Sequence, residues 1–316
     1  MYAGSVRLGI SLWPQGATWQ ELRSASVRAD ALGYDSVWSY DHFTALGADP
    51  TLPVFDGWTA IAAIAAITST SRLGILVTAV THRNPGVLAK MAATLDHLSG
   101  GRAILGLGAA WHVDEHRAYG IPFPPTGQRL ALLEESCAVI RSLYEDDVTN
   151  FEGKHCTMHD AVLWPKPIQT RLPILIGGGG ERKTLRIVAL HADLWNAFGT
   201  PEMVTHKLSV LREHCTAVGR DPATIGVTLN AGVIVRDSAA AVQARLEEIG
   251  EVAGFPAYAA SNQPYGTPEL VAQRLAEYGR VGVSELIAVM PAPYDDESIE
   301  RLATEVRPRI DQLLSA

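Results

Sequence analysis

The feature that most constrains this chain is an alternation repeated eight times. Short runs rich in Val, Ile and Leu, bounded by Gly, Asp or Pro, are each followed by a longer stretch of mixed polarity at helical spacing. Such short apolar runs read as strands buried on both faces, which is the habit of parallel sheets. Strands are expected at residues 6–13, 36–42, 73–80, 103–109, 173–176, 194–197, 225–235 and 285–289. Helices are expected at 18–32, 57–68, 85–98, 128–144, 182–191 and 202–218, in a split region at 239–249 and 268–278, and at 297–314. The punctuation agrees. Thr18 and Glu21 fit a capping box, Gly33 fits a helix end, Pro85 suits a first helical turn, and Gly100-Gly101 is a stop signal.

Eight strand–helix units in 316 residues, with no linker between them, predict one domain over residues 1–316. Closure into a (β/α)8 TIM barrel with insertions at the carboxyl-end face is expected over an open doubly wound sheet. Two segments break the alternation. Residues 146–171 read as an irregular or hairpin insertion before the fifth strand. Residues 250–266 carry Phe255, Tyr258 and Tyr265 among small residues and prolines. A long loop of that kind in a compact domain reads as a lid over the barrel mouth.

Composition narrows the partners. Apolar residues make up 47% and charged residues 19%, which is globular. The net charge is −8 with both signs interspersed, so no basic face points to nucleic acid. Cys137, Cys156 and Cys215 are odd in number and form no CxxC pair, which reads as reduced thiols in a cytoplasmic protein. The first ten residues carry no secretion signal, and the longest apolar run, 60–67, is too short to cross a bilayer. A small-molecule partner is expected.

In such barrels, polar residues at the carboxyl ends of strands are the site candidates. The second strand ends in Tyr40-Asp41-His42, a carboxylate and an imidazole suited to proton transfer near neutral pH. The blander reading is a turn cap and a satisfied loop histidine. His82 and Arg83 after the third strand read equally as site groups or surface polarity. The fourth strand ends in Gly106-Leu107-Gly108-Ala109-Ala110-Trp111. Small residues there let a backbone approach a flat ligand, or simply turn. Trp111 stacks on a ring or plugs the barrel. Gly177, Gly178, Gly179 and Gly180 follow the fifth strand and precede a helix, an arrangement that suits a phosphate. It matches neither a P-loop nor GxGxxG. The bland alternative is a flexible connection.

A metal reading competes. His112-Val113-Asp114-Glu115-His116 fits H-x-x-E-H, but the sequence shows no third ligand. His155, Cys156 and His159 cluster without the spacing of a zinc site. No metal is expected.

Several segments together form a recognisable set: Leu8-Gly9-Ile10, Ser36-Val37-Trp38 running into Asp41-His42-Phe43, Arg83-Asn84-Pro85, and Ala93 through Arg102. The set continues with Gly106 through Trp111 and Glu115, then Ile176-Gly177-Gly178, Ala192-Asp193 before Trp195-Asn196, and Gly219-Arg220-Asp221-Pro222. In this order they resemble the bacterial luciferase-like monooxygenase superfamily, especially members that use the deazaflavin coenzyme F420. The resemblance spans nearly the whole chain. It implies a deazaflavin or flavin ring in the barrel mouth, with hydride transfer to or from a small organic molecule. It places Asp41 and His42 near the ring, with His42 for proton transfer. It implies a non-prolyl cis bond at Leu76–Val77 with Thr78 beside it, supporting the ring. Ala109, Ala110 and Trp111 would line ring or tail beside Gly108, and Gly177 to Gly180 would hold the phosphate. Family members are often homodimers. The alternatives are an FMN-dependent monooxygenase using reduced flavin and oxygen, a non-catalytic flavin-binding barrel, and a zinc hydrolase. Two departures stand out: Ala110 where the family often has Gly, and Phe43 where Leu or Ile is common. The substrate is not specified.

Overall fold

The computed structural model describes residues 6–47, 49, 51–249 and 263–315. Among them, eight parallel strands close into a barrel. In order around it they are β1 (Arg7–Leu12), β2 (Ser36–Ser39), β3 (Arg72–Ile75) continued by β4 (Thr78–Ala79), β5 (Ala103–Gly108), β8 (Ile174–Gly177), β9 (Leu194–Ala197), β10 (Gly226–Gly232) and β13 (Glu285–Met290). Pairing of β1 with β13 and of β3 with β5 completes the ring. The connecting helices are α1 (Trp19–Ala31), α2 (Gly57–Ala65), α3 (Pro85–Ser99), α4 (Val113–Ala118), α5 (Thr126–Glu145), α6 (Thr184–His191), α7 (Pro201–Ala217), α8 (Ala239–Ile249), α9 (Pro268–Val281), α10 (Asp296–Arg301) and α11 (Arg307–Ser315). The expected capping box is present: Thr18 accepts from the Glu21 N–H while the Glu21 carboxylate accepts from the Thr18 N–H.

The expected insertion at 146–171 contains an antiparallel hairpin, β6 (Thr149–Glu152) and β7 (Thr157–Ala161). The seventh strand is shorter than expected. Its chain leaves the barrel after Gly232, and β11 (Ile234–Val235) pairs instead with β12 (Tyr265–Gly266). Tyr265 of the expected lid therefore sits in a small sheet, while Phe255 and Tyr258 lie outside the described residues. The final helix is interrupted by a wider π turn at Leu302–Val306. All three cysteines are free and buried. Among the described residues no helix is long and apolar enough to cross a membrane.

The third strand departs most from expectation. Gly74 pairs with Ile104, yet Thr78 pairs with Leu107, so the third strand advances four residues while its partner advances three. The extra residue is a bulge at Leu76–Val77, where the peptide bond is cis. A one-residue bulge reverses the alternation of faces. Leu76 and Val77 both point into the barrel, packing with Trp38, Ile104, Leu175, Leu194 and Ile287. Thr78 then faces outward, where its hydroxyl accepts from the Trp58 indole N–H of α2 at 2.8 Å. The Val77 side chain needs room. A Cβ on Gly108 would lie 2.7 Å from Val77 Cγ2, and a Cβ on Gly177 3.1 Å from Cγ1.

The amino ends of the strands carry the polar clamps. Arg102 donates to the carbonyls of Ala65, Thr68, Ser71 and Ser99, tying α2 and α3 to the start of β5. Asp193 accepts from the Ile174 N–H and from Arg141 and Arg171. Arg220 donates to the carbonyls of Ala189 and Ala192. These groups satisfy helix-end carbonyls and strand-start amides that would otherwise be unpaired.

Candidate functional site

At the carboxyl ends of the strands lies a cavity of about 710 Å³. Leu76, Val77, Trp13, Phe198 and Val289 supply apolar lining; Asp41, His42, His82, Glu115, Asn196 and Asn230 supply polar groups. Its size and mixed lining suit a small organic ligand.

One edge of the cavity is a chain of alternating charges. β2 ends at Ser39, so Tyr40, Asp41 and His42 belong to the loop that follows rather than to the strand. Asp56, the N-cap of α2, accepts from Arg83 Nη2 at 3.1 Å. Arg83 Nη1 donates to Asp41 Oδ2 at 2.5 Å. His82 lies between carboxylates, with Nδ1 3.7 Å from Asp41 Oδ2 and Nε2 3.4 Å from Glu115 Oε1. Burial opposes a charge on His82, but the two carboxylates outweigh it and raise its pKa above the ordinary value. Burial likewise pushes Asp41 and Glu115 up. For Asp41 the cations His82 and Arg83 win, and for Glu115 the two histidines His42 and His82 do, with the Phe43 N–H adding to them. Both carboxyls are held below their ordinary values.

Glu115 is the hub of this edge. Its side chain is fully buried, and it accepts from the N–H groups of Phe43 at 2.6 Å and Thr44 at 3.3 Å. His42 Nδ1 sits 3.2 Å from Glu115 Oε1. An ionised carboxylate only accepts, so Nδ1 carries the proton of the neutral ring and Nε2 holds the free lone pair. The His42 side chain is 16% exposed, at the cavity wall. Nε2 has no partner among the described residues.

The opposite edge is the glycine loop. Its carbonyls are tied back: Gly178 O accepts from the Trp195 indole at 2.8 Å and Gly179 O from Lys207 Nζ at 2.5 Å. No acceptor among the described residues takes the N–H groups of Gly178, Gly179 or Gly180. Gly178 has φ +133°, open to glycine but not to most side chains. Consecutive free amides of this kind form an anion-binding concavity.

The sequence-derived candidates thus separate. Asp41, His42, Leu76, Val77, Gly108, Ala109, Ala110, Trp111, Gly177 and Gly178 line the cavity. Thr78 does not; the bulge has turned it toward α2. Gly179 does not line it either, and Gly180 lines a second cavity. Trp111 neither plugs the barrel nor is covered. It is 66% exposed at the mouth, edge-on to His42 with ring centroids 5.5 Å apart. Gly108, the last residue of β5, also makes room for Val77. Ala110 adopts φ +65° beyond Ala109, whose carbonyl accepts from Arg129 Nε at 2.9 Å. His82 read equally as a site group or as surface polarity, and Glu115 carried no assigned role in the sequence. Glu115 had a signal, its place in H-x-x-E-H. The structure breaks that pattern: His112 is the N-cap of α4 and accepts from the Glu115 N–H.

Ligand-type atoms of His82, Glu115 and His116 do lie within 4.8 Å of one another. Two of these groups already have partners. His116 Nδ1 donates to the His112 carbonyl, so Nε2 accepts from the Thr81 hydroxyl, and burial keeps the ring's pKa below its ordinary value. Glu115 is occupied by backbone amides and His42. His155 and His159 do not converge with Cys156: the His155 N–H and the Cys156 N–H bond Glu135, while the exposed His159 ring pairs with Glu152.

The profile of the luciferase-like monooxygenase family matches residues 5–297. The chain belongs to this family. Among curated relatives, the F420-dependent glucose-6-phosphate dehydrogenase of Kineococcus radiotolerans is 38% identical over 169 residues, covering 52% of this chain and 48% of that protein. The phthiodiolone/phenolphthiodiolone dimycocerosates ketoreductase of Mycobacterium tuberculosis is 30% identical over 249 residues, covering 72% of this chain and 64% of the relative. The chain thus spans about half to two thirds of the length of these relatives. Among solved structures, an F420-dependent secondary alcohol dehydrogenase in complex with an F420-acetone adduct superposes with TM-score 0.83 at 20% identity, covering 97% of this chain and 99% of that one. The monooxygenase RslO1 of Streptomyces bottropensis gives TM-score 0.78 at 20% identity, covering 96% and 99%. Luciferase-like chains at these identities share the fold; the likeness does not extend to reaction.

Proposed function

We propose that this luciferase-like chain is an oxidoreductase that binds coenzyme F420 in the barrel mouth and transfers hydride between the deazaflavin and a small organic substrate. The observation that carries the reading is the His42–Glu115 pair, which fixes an imidazole with Nδ1 on a buried carboxylate and Nε2 free at the cavity wall. The F420-dependent relatives favour this cofactor over FMN.

The residues present fit such a group. Asp41 lines the cavity, and its Oδ1 is buried without a hydrogen-bond partner among the described residues, ready to accept an N–H from a ring edge. Leu76, Val77, Gly108 and Ala109 would lie against the ring, and the free amides of Gly178 and its neighbours would hold the phosphate. When bound, the deazaflavin supplies the hydride chemistry. The protein handles the proton. His42 Nε2 takes a proton from a substrate hydroxyl as hydride leaves, or gives one to a carbonyl oxygen as hydride arrives. Glu115 keeps Nδ1 protonated and offsets the charge that forms on the ring, as an orienting carboxylate does for a catalytic imidazole. Apolar lining from Trp13, Leu76, Val77 and Val289 makes the surroundings of the reacting centre less polar than water.

Equilibrium titration with F420 and with FMN tests the cofactor; tight FMN binding without deazaflavin affinity overturns it. A screen of small alcohols and carbonyl compounds then gives a substrate. His42→Ala should lower its turnover by about 10²–10⁴-fold, the range of general acid–base catalysis, while leaving cofactor affinity within a few-fold. Unchanged turnover would mean that His42 moves no proton.

A further inference from the structure

A second cavity, of about 760 Å³, lies beyond the glycine loop. It is walled by the start of α6 and one face of α5, and Thr184 lines both this cavity and the main one. In a chain of net charge −8, its lining contains Arg182, Lys183 and Arg186. The two acids in the lining are already engaged. Glu134 accepts from Arg186 at 2.9 Å, and Glu181 lies 3.2 Å from His206 and 3.9 Å from Lys207. Among the described residues Arg182 and Lys183 have no ion-pair partner. Lys183 Nζ also lies only 3.8 Å from where a Cβ on Gly127 would stand, in the first turn of α5. The amino end of a helix repels a cation, so the ammonium stands where an anion between it and the helix would relieve both.

We propose that this cavity is a subsite for carboxylates that the cofactor carries beyond its phosphate, held by Arg182 and Lys183. The inference rests on the F420 reading and sharpens it. Coenzyme F420 bears a lactyl group and a run of glutamates past its phosphate, whereas FMN ends there. A phosphate seated on the glycine loop would send such a tail past Thr184 toward the free cations.

The test is binding, read by deazaflavin fluorescence and by calorimetry. Three probes are compared: a deazaflavin riboside with neither phosphate nor tail, a phosphate-bearing deazaflavin without glutamates, and F420 with several glutamates. The full-tail compound should bind the native protein about tenfold tighter than its glutamate-free counterpart, as two partly solvated ion pairs allow. Arg182→Glu/Lys183→Glu, two exposed positions, should abolish that difference and keep affinity for the glutamate-free compound. Glu134→Gln, which releases Arg186, should enlarge it. Equal affinity for both compounds, or a difference that survives the charge reversal, overturns the subsite and leaves the F420 reading standing. Failure of all three deazaflavins to bind overturns both.

Discussion

Replacing Gly108 by alanine, alone and together with Val77→Ala, asks why the end of β5 is glycine. A Cβ at position 108 would lie 2.7 Å from Val77 Cγ2, well inside the 3.5–4.0 Å at which carbons rest. Overpacking of this kind costs about 1–3 kcal/mol. Val77→Ala alone removes two methyl groups, about 1.6 kcal/mol at about 0.8 kcal/mol per buried carbon. Without those methyls, the nearest atoms to a Cβ at 108 are Gly177 O at 3.8 Å and the remaining Cβ at 3.9 Å, both ordinary contacts. The double variant should therefore be no less stable than Val77→Ala, a coupling of about 1–3 kcal/mol. Urea unfolding of the four proteins, with midpoints and slopes compared, measures it. If Gly108→Ala costs the same in both backgrounds, the account of the bulge is wrong. If it leaves stability alone and weakens only cofactor binding, the glycine serves ligand approach instead.

Two further outcomes can be checked by the same titrations. Ala110→Gly should raise stability by up to about 1 kcal/mol, because φ +65° costs an alanine about 1–2 kcal/mol and glycine returns part of that gain as unfolded-chain entropy; a loss of stability would refute the strain. Asp30 accepts from the N–H groups of Ser69, Thr70 and Ser71; burial pushes its carboxyl up, but these donors outweigh it and hold it well below its ordinary 3.8. Because the folded value is the lower one, its contribution is present above pH 3.8 and is lost as pH falls toward the folded value. Asp30→Ala should cost about 1–3 kcal/mol at neutral pH, a gap that closes below about pH 4; a gap constant to pH 2 would refute it.

The barrel was legible because eight apolar runs with intact punctuation leave few other ways to bury them. What stayed hidden depends on registers between strands. Residues 73–80 read as one strand because both halves are apolar; only pairing with β5 shows the extra residue, and with it the reversal that sends Thr78 to Trp58. Asp41 and His42 were visible because they follow a strand directly. Glu115 and His82 were not assigned because the distance that matters, 3.2 Å from His42 to Glu115, joins residues 73 apart in sequence. Several residues that carried the family resemblance, Arg102, Asp193 and Arg220 among them, proved to be clamps of the fold rather than parts of the site.

Those clamps have an engineering consequence. Arg102, Asp193 and Arg220 fasten helices to strands at one rim, while the cavity and the charged chain depend on loops at the other. The rims share few side chains, so loops at the open rim are replaceable parts on a self-supporting frame. Grafts there can change which molecule enters without first having to rescue the barrel, provided Val77 keeps the glycine hollow in which it sits.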